Sequence, residues 1–176
     1  KDINNDGKIN ADDRVRRTKN AEPRFVGGFN VNLRYKNFDL MALFQGALGA
    51  ETYIQTWSGT VGNYLKDFYD KRWTIENPNV EHPRAYEREN QYWISNSNTY
   101  FIRSCDYLRL KNIELGYNIT LPALKNAGIS NARIYVNATN IFTIDKLKVA
   151  DPEADDKNIT SYPQRRVVNF GVSLTF

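Results

Sequence analysis

Residues 167–176, VVNFGVSLTF, close the chain on a strict alternation. Val168, Phe170, Val172, Leu174 and Phe176 occupy one parity, and Asn169, Gly171, Ser173 and Thr175 the other. Successive side chains of a strand point to opposite sides, so a period of two predicts a strand with one apolar and one polar face. Working back from the terminus, the same period recurs. ARIYVNATNIFTI (132–144) sets Ile134, Val136, Ala138 and Phe142 against Arg133, Tyr135, Asn137 and Thr139. KNIELGYNI (111–119) sets Ile113, Leu115, Tyr117 and Ile119 against Asn112, Glu114, Gly116 and Asn118. RFVGGFNVNLRY (24–35) carries Phe25, Phe29, Val31, Leu33 and Tyr35 on its odd positions, and FDLMALFQG (38–46) continues that face through Phe38, Leu40, Ala42 and Phe44. The dipeptide Lys36-Asn37 between them has the length of a two-residue hairpin, which pairs Tyr35 with Phe38. One stretch is out of phase: Leu108 and Leu110 lie on the other parity, which predicts either a β-bulge near Lys111 or a strand that leaves the apolar slab there.

Five strands of roughly ten residues fit the 9–11 that cross a bilayer at a tilt. A soluble sandwich gives the same alternation by burying its apolar face, so periodicity does not choose between them. The connections do. They run short (36–37), long (46–104), short (120–131), long (145–165), the one-sided asymmetry of an outer-membrane barrel with short periplasmic turns and long external loops. Five strands cannot close, since single-chain barrels begin at about eight. The reading is therefore all-β: an antiparallel up-and-down transmembrane β-barrel segment, the last five strands of a larger barrel. Its parts are an external loop (1–23), a β-hairpin (24–45), a long extracellular loop (46–104), two strands (105–144), an extracellular loop (145–165) and a C-terminal strand (166–176). Counting strands back from a periplasmic terminus places the opening loop outside the cell. The sequence starts without Met and already inside that loop, which predicts further chain upstream.

Composition bounds the alternatives. The 176 residues carry a formal charge of +4, with basic residues scattered among aromatics and acids, and no basic cluster marks a nucleic-acid surface. No apolar run is long enough for a membrane helix. A mean hydropathy of −0.62 would ordinarily indicate a water-soluble protein, but barrel strands average lipid-facing and lumen-facing residues to such a value. Cys105 is the single cysteine, expected as a small buried or half-buried residue and not as half of an internal disulfide. There is no nucleophile elbow, no phosphate-cradling glycine loop and no zinc spacing, so the expectation is no enzyme. The triplets NIT and NAT match glycosylation acceptors without bearing on a bacterial barrel.

The opening stretch, KDINNDGKINADD, has the spacing of a calcium loop: Asp2, Asn4 and Asp6 at positions 1, 3 and 5, Gly7 at the sharp turn, Lys8 at the backbone-carbonyl position, Asn10 at 9 and Asp13 at 12. A hard cation needs several converging oxygens, so Ca2+ is the expected occupant, with Ile9 anchoring the loop and Asp13 replacing the usual Glu. The competing reading is an Asx-rich solvated turn. In 46–104, Trp57, Trp73 and Trp93 are candidates to stack on substrate, and Val61, Leu65, Phe68 and Trp73 lie near helical spacing. His82, alone in a polar stretch before proline, reads as a surface histidine. Arg34, Glu114, Arg133 and Tyr135 fall on the lumen-facing parity.

Taken in order, DINNDGKINADD, YKNFDLMALFQG, RWTIENPN, YLRLKNIELGY, LKNAGISNARIYVNATNIFT, DPE and the alternating strand ending in Phe176 resemble the C-terminal part of the SusC/RagA family of TonB-dependent outer-membrane transporters. The resemblance covers essentially the whole chain. It implies a plugged barrel of about 22 strands in the bacterial outer membrane, importing glycan or peptide nutrients with a SusD-like surface lipoprotein. It also implies coupling to TonB through an N-terminal part that this stretch lacks, contact with outer-membrane lipid, and a terminal strand whose Phe170, Val172, Leu174 and Phe176 are read by the barrel-assembly machinery. The alternative from the residues alone is a soluble β-sandwich carbohydrate-binding module with a structural calcium loop.

Overall fold

In the computed structural model, residues 2–8, 10–54, 66–84, 99–154 and 161–176 are described. Five long strands form one antiparallel sheet: β1 (Phe25–Tyr35), β2 (Phe38–Leu48), β5 (Tyr107–Ile119), β6 (Asn131–Asp145) and β7 (Val167–Thr175). They lie side by side in chain order, an up-and-down meander. Short β3 (Glu51–Tyr53) and β4 (Ile102–Ser104) pair beyond the β2 and β5 ends, after a break where Gly49 turns to φ 89° and its N–H is taken by Asp106 Oδ1 at 2.7 Å. Two five-residue helices, α1 (Lys66–Asp70) and α2 (Pro122–Asn126), lie in connections.

The register follows the alternation. Tyr35 pairs with Phe38 across the Lys36-Asn37 turn, and Lys36 takes φ 53° to close it. Asn37 then accepts from the Asn118 N–H at 2.8 Å, tying the turn to β5. The expected irregularity at Lys111 is a bulge. Leu43 pairs with Asn112 but Phe44 with Leu110, so Lys111 is an extra residue on β5. A strand that gains one residue exchanges its faces beyond that point. Leu108 and Leu110 thereby rejoin the face of Ile113 and Leu115, and the apparent loss of phase in the sequence becomes a continuous apolar surface. On β6 the ladder skips Asn140 and Ile141 opposite the bulge, with Asn140 at φ 53°.

Paired positions put Phe29, Phe44, Leu110 and Phe142 in one row, and Leu33, Leu40, Leu115, Val136 and Phe170 in another. The stacking of Phe29 on Phe44, with centroids 4.7 Å apart, is one such cross-strand pair. No second layer covers this face among the described residues: Phe170 is 85% exposed, Val172 67% and Leu174 48%. The β-sandwich alternative needs those residues buried against a facing sheet, and the chain has no such sheet among its described residues. Among the described residues, Ala50, Ile54, Cys105 and Leu147 form a small buried cluster at the loop end of the sheet, flanked by Val149 and Ala150, while on the strands themselves small side chains such as Ala42, Ala132 and Ala138 are buried between larger neighbours.

Both long connections and the opening segment lie at one end of the sheet, and both short turns at the other. β1 begins beside the end of β2, β5 starts opposite Ala47, and the last β7 residue, Thr175, faces Asn131 at the turn end.

Candidate functional site

The polar face carries the chemistry. In its turn-end half, Arg133 on β6 reaches across β5 to Asp39 on β2, Nη2 lying 2.5 Å from Oδ2 and Nε 3.1 Å from Oδ1, and also donates to Glu114 Oε1 at 2.7 Å. Asn118 adds a bond to Asp39 Oδ1 at 3.1 Å. The reach is permitted by Gly116, where a Cβ would stand 2.2 Å from Arg133 Nη2. Gly171 is the counterpart on β7, since a Cβ there would be 2.3 Å from the Tyr135 ring. The two glycines are notches in which long side chains lie flat along the wall. Glu114, Arg133 and Tyr135 thus stand on the polar face with Arg34, as their parity predicts. Asp39, the acceptor that organises them, is recognisable in the sequence only as a polar residue of the right phase.

The loop-end half is built around Arg109, 3% exposed. Its Nη2 donates to Asp151 Oδ1 and its Nη1 to Glu153 Oε2, each at 2.8 Å, and its Nε to Thr143 Oγ1 at 3.0 Å. Lys111 and the Tyr107 hydroxyl complete the shell around Glu153, at 3.1 and 2.7 Å. Burial would raise the Asp151 carboxyl, but bonds from the Glu153 N–H, from Arg109 and from the Gln164 N–H outweigh it and hold Asp151 below the usual carboxylate range. Sequence reasoning did not single out Arg109. Its parity becomes meaningful only once the bulge at Lys111 is known, and its partners follow about forty residues later in the DPE motif.

His82 is a correction. Expected at the surface, it is 6% exposed, stacked on Phe68 with centroids 5.1 Å apart, and bonded through Nδ1 to the Tyr100 hydroxyl at 2.7 Å and through Nε2 to Asp67 Oδ2 at 3.2 Å. The Lys71 ammonium beside Asp67 is the main cause, ahead of His82, of a carboxyl held below its ordinary value. Its partners lie 15 and 18 residues away in an aperiodic stretch, so no local pattern announces the cluster. Trp73 is bonded to it through the backbone, its N–H donating to the His82 carbonyl at 2.9 Å, and the two line an open cavity of about 690 Å3 with Glu81, Pro83, Arg84 and Tyr100. Trp57 and Trp93, with Val61 and Leu65, lie outside the described residues. Phe68 is within α1 and Trp73 beyond it.

In the opening loop each proposed ligand side chain caps its own backbone. Asp2 accepts from the N–H groups of Asn5 (2.7 Å) and Gly7 (2.9 Å), Asn4 from Asp6, Asp6 from Lys8, and Asp13 from Ile3 (2.7 Å) and Asn10 (2.8 Å). The bond from Ile3, then that from Asn10, hold the Asp13 carboxyl below the ordinary range. Gly7 takes φ 79°, as a sharp turn requires. Among the described residues no three His, Cys, Asp or Glu side chains gather as ligands, so a cation would have to draw Asp2, Asp6 and Asp13 together. Ile9 lies outside the described residues. On β7, Phe170, Val172 and Leu174 project from the apolar face, and Phe176 follows the strand, 83% exposed. Cys105 is buried, as expected.

No family model matches the chain. Two TonB-dependent receptors of Formosa agariphila, P3 and P26, are each 31% identical to it over 192 aligned positions. These alignments take in 99% of this chain and 18% and 19% of the receptors, so the chain spans about a fifth of their length. Among solved structures, the RagAB peptide importer in its open-open state aligns with a TM-score of 0.72 and the RagAB peptide transporter with 0.73, both at 26% identity over 96% of this chain and 19% of the matched one. The similarity runs through the whole sheet and its loops alike. Its relatives are receptors and transporters by name. An antiparallel sheet with one uncovered apolar face and one ion-paired polar face, together with this similarity along almost every residue, makes the chain a homologue of TonB-dependent receptors that matches part of the RagAB transporter's β-barrel.

Proposed function

We propose that this chain is the C-terminal wall of a TonB-dependent outer-membrane transporter, its apolar face against lipid and its polar face toward the lumen. One observation carries the reading: a five-strand apolar surface left open to the surroundings, backed by a polar face whose long charged side chains are paired. A water-soluble protein leaves no contiguous apolar surface of this extent uncovered, whereas a barrel wall requires it. The transporter as a whole would import peptide or glycan nutrients, and the likeness to a peptide importer favours peptides. Its partners would be a SusD-like surface lipoprotein over the loop end, TonB acting through segments outside this stretch, and the barrel-assembly machinery reading Phe170, Val172, Leu174 and Phe176. The loop end would face outward, and Trp73, with Trp57 and Trp93, would meet substrate there. The test is growth of the source bacterium on defined peptides or glycans after deletion of the full-length gene, with fractionation of the product. Loss of growth on one nutrient class and recovery in the outer-membrane fraction support the proposal; recovery in the soluble fraction refutes it.

The opening loop we propose to be a Ca2+ site, with Asp2, Asn4, Asp6 and Asp13 side chains and the Lys8 carbonyl as ligands. What supports it is the loop spacing with left-handed Gly7 at the turn position. Bound Ca2+ would supply charge neutralisation and stiffness to an external loop. Calcium titration of the full-length protein by calorimetry, against Asp2→Asn/Asp6→Asn, checks it: heat in the parent and none in the variant is expected, and no heat in either leaves an Asx-rich turn.

A further inference from the structure

At the loop end the polar face is not lined by strand side chains alone. The segment that leaves β6 folds back over β5. Leu147 enters the buried cluster with Ala50, Ile54 and Cys105, and Val149 and Ala150 pack beside it. Past Ala150 the anchorage turns polar and converges on Arg109. Asp151 and Glu153 hold the guanidinium from one side, with side-chain exposures of 8% and 16% against 4% for Arg109. A second limb closes from the other direction. The Gln164 N–H donates to Asp151 Oδ2 at 3.1 Å, its side-chain amide bonds to Glu153, and the Arg165 carbonyl accepts from Asn140 Nδ2 at 3.2 Å. Beneath the first limb lies a hollow of about 400 Å3 bounded by Ala21, Gln45, Thr52, Lys111 and Ala154.

We propose that residues 147–154 and 161–166 form a strap latched onto the polar wall by Arg109, so that the strap and not the strand surface is what the lumen presents at this end. The chemistry makes the latch specific. A planar guanidinium with three N–H groups directed to Thr143, Asp151 and Glu153 fixes the strap in one position, which a point charge would not. Two positive groups, Arg109 and Lys111, face two negative ones, Asp151 and Glu153, in a site with little solvent. Deleting Arg109 leaves two carboxylates close together with little water and one lysine, which pairs with Glu153 only, so the strap leaves the wall. Neutralising Arg109, Asp151 and Glu153 together removes that repulsion and leaves charged only Lys111, whose side chain reaches solvent, because a buried ion cluster exchanged for uncharged groups is often tolerated. That the strap faces a lumen rests on the transporter reading; that it is latched does not.

The experiment is hydrogen exchange by mass spectrometry on the full-length transporter in detergent, comparing the parent with Arg109→Met, Glu153→Gln and Arg109→Met/Asp151→Asn/Glu153→Gln. In Arg109→Met, exchange at 147–154 and 161–166 should quicken about tenfold or more with β5 residues 112–118 unchanged, and the triple variant should recover part of that protection. Should Arg109→Met fail to assemble, Glu153→Gln gives the same readout with the guanidinium in place and is expected to quicken the strap severalfold. Strap exchange within about twofold of the parent in these variants, or acceleration spread equally over β5 and β6, would overturn the latch. Heat-modifiable migration of the parent in detergent gels tests the barrel separately, so its absence would remove the lumen while leaving the latch standing.

Discussion

The wall's polar side is organised by single residues, and two of them act through having no side chain. Gly116 makes room for Arg133 to cross β5 and meet Asp39. Gly116→Ala should therefore displace the guanidinium and leave two half-buried carboxylates short of a partner, costing about 1–2 kcal/mol. In an Arg133→Ala background the same change should cost almost nothing, and equal costs in both backgrounds, read from unfolding midpoints of the full-length protein, would contradict the notch. Gly28 differs in kind, because a Cβ there would meet the Phe44 carbonyl oxygen at 2.5 Å, and backbone cannot yield as a side chain can. Gly28→Ala should lower the midpoint more than Gly116→Ala. Asp151 adds a pH dependence whose sign is fixed. Its folded value is depressed below the ordinary 3.8, so its contribution is fully present above that value and is lost as pH falls through the folded value beneath it. Strap protection should be the same at pH 7 and pH 5 and fall only below about 3.8; a loss already complete at pH 5 would rule Asp151 out as an anchor.

At the scale of elements the bulge at Lys111 decides whether β5 has one apolar face or two half-faces. Deleting Lys111 returns Leu108 and Leu110 to the polar side and carries Arg109 toward lipid. The deletion should abolish assembly, whereas Lys111→Gln, which keeps the extra residue, should assemble; both outcomes are read from heat-modifiable migration of membrane fractions. The strands were legible in the sequence because alternation is a local signal, and the rephasing at Lys111 was legible as a break in it. The Lys36-Asn37 hairpin followed from its length alone. What the sequence hid is held together across distance: Arg109 to the DPE motif, Arg133 to Asp39 over an intervening strand, and His82 between Asp67 and Tyr100. None has a period, and each depends on which strands become neighbours. His82 is buried against expectation for that reason, since a histidine before proline in a polar stretch gives no sign of the aromatic and acidic groups that enclose it.

For the molecule as a whole, one proposed assignment governs the rest: the five strands expose a common apolar face, and hydrocarbon would be its proper surroundings. Both edges of the sheet, β1 and β7, end without a neighbour among the described residues, as a segment cut from a closed barrel would. The most direct measurement is spin labelling of β7 in the full-length protein reconstituted in lipid, one cysteine at a time at positions 169 to 174 in a background with Cys105 replaced by Ala. The account predicts that labels at Phe170, Val172 and Leu174 collide with oxygen dissolved in the bilayer and are shielded from a water-soluble nickel complex, while labels at Asn169, Gly171 and Ser173 are not oxygen-accessible. Absence of that alternation, or shielding of Phe170, Val172 and Leu174 from both reagents as in a protein core, would contradict it.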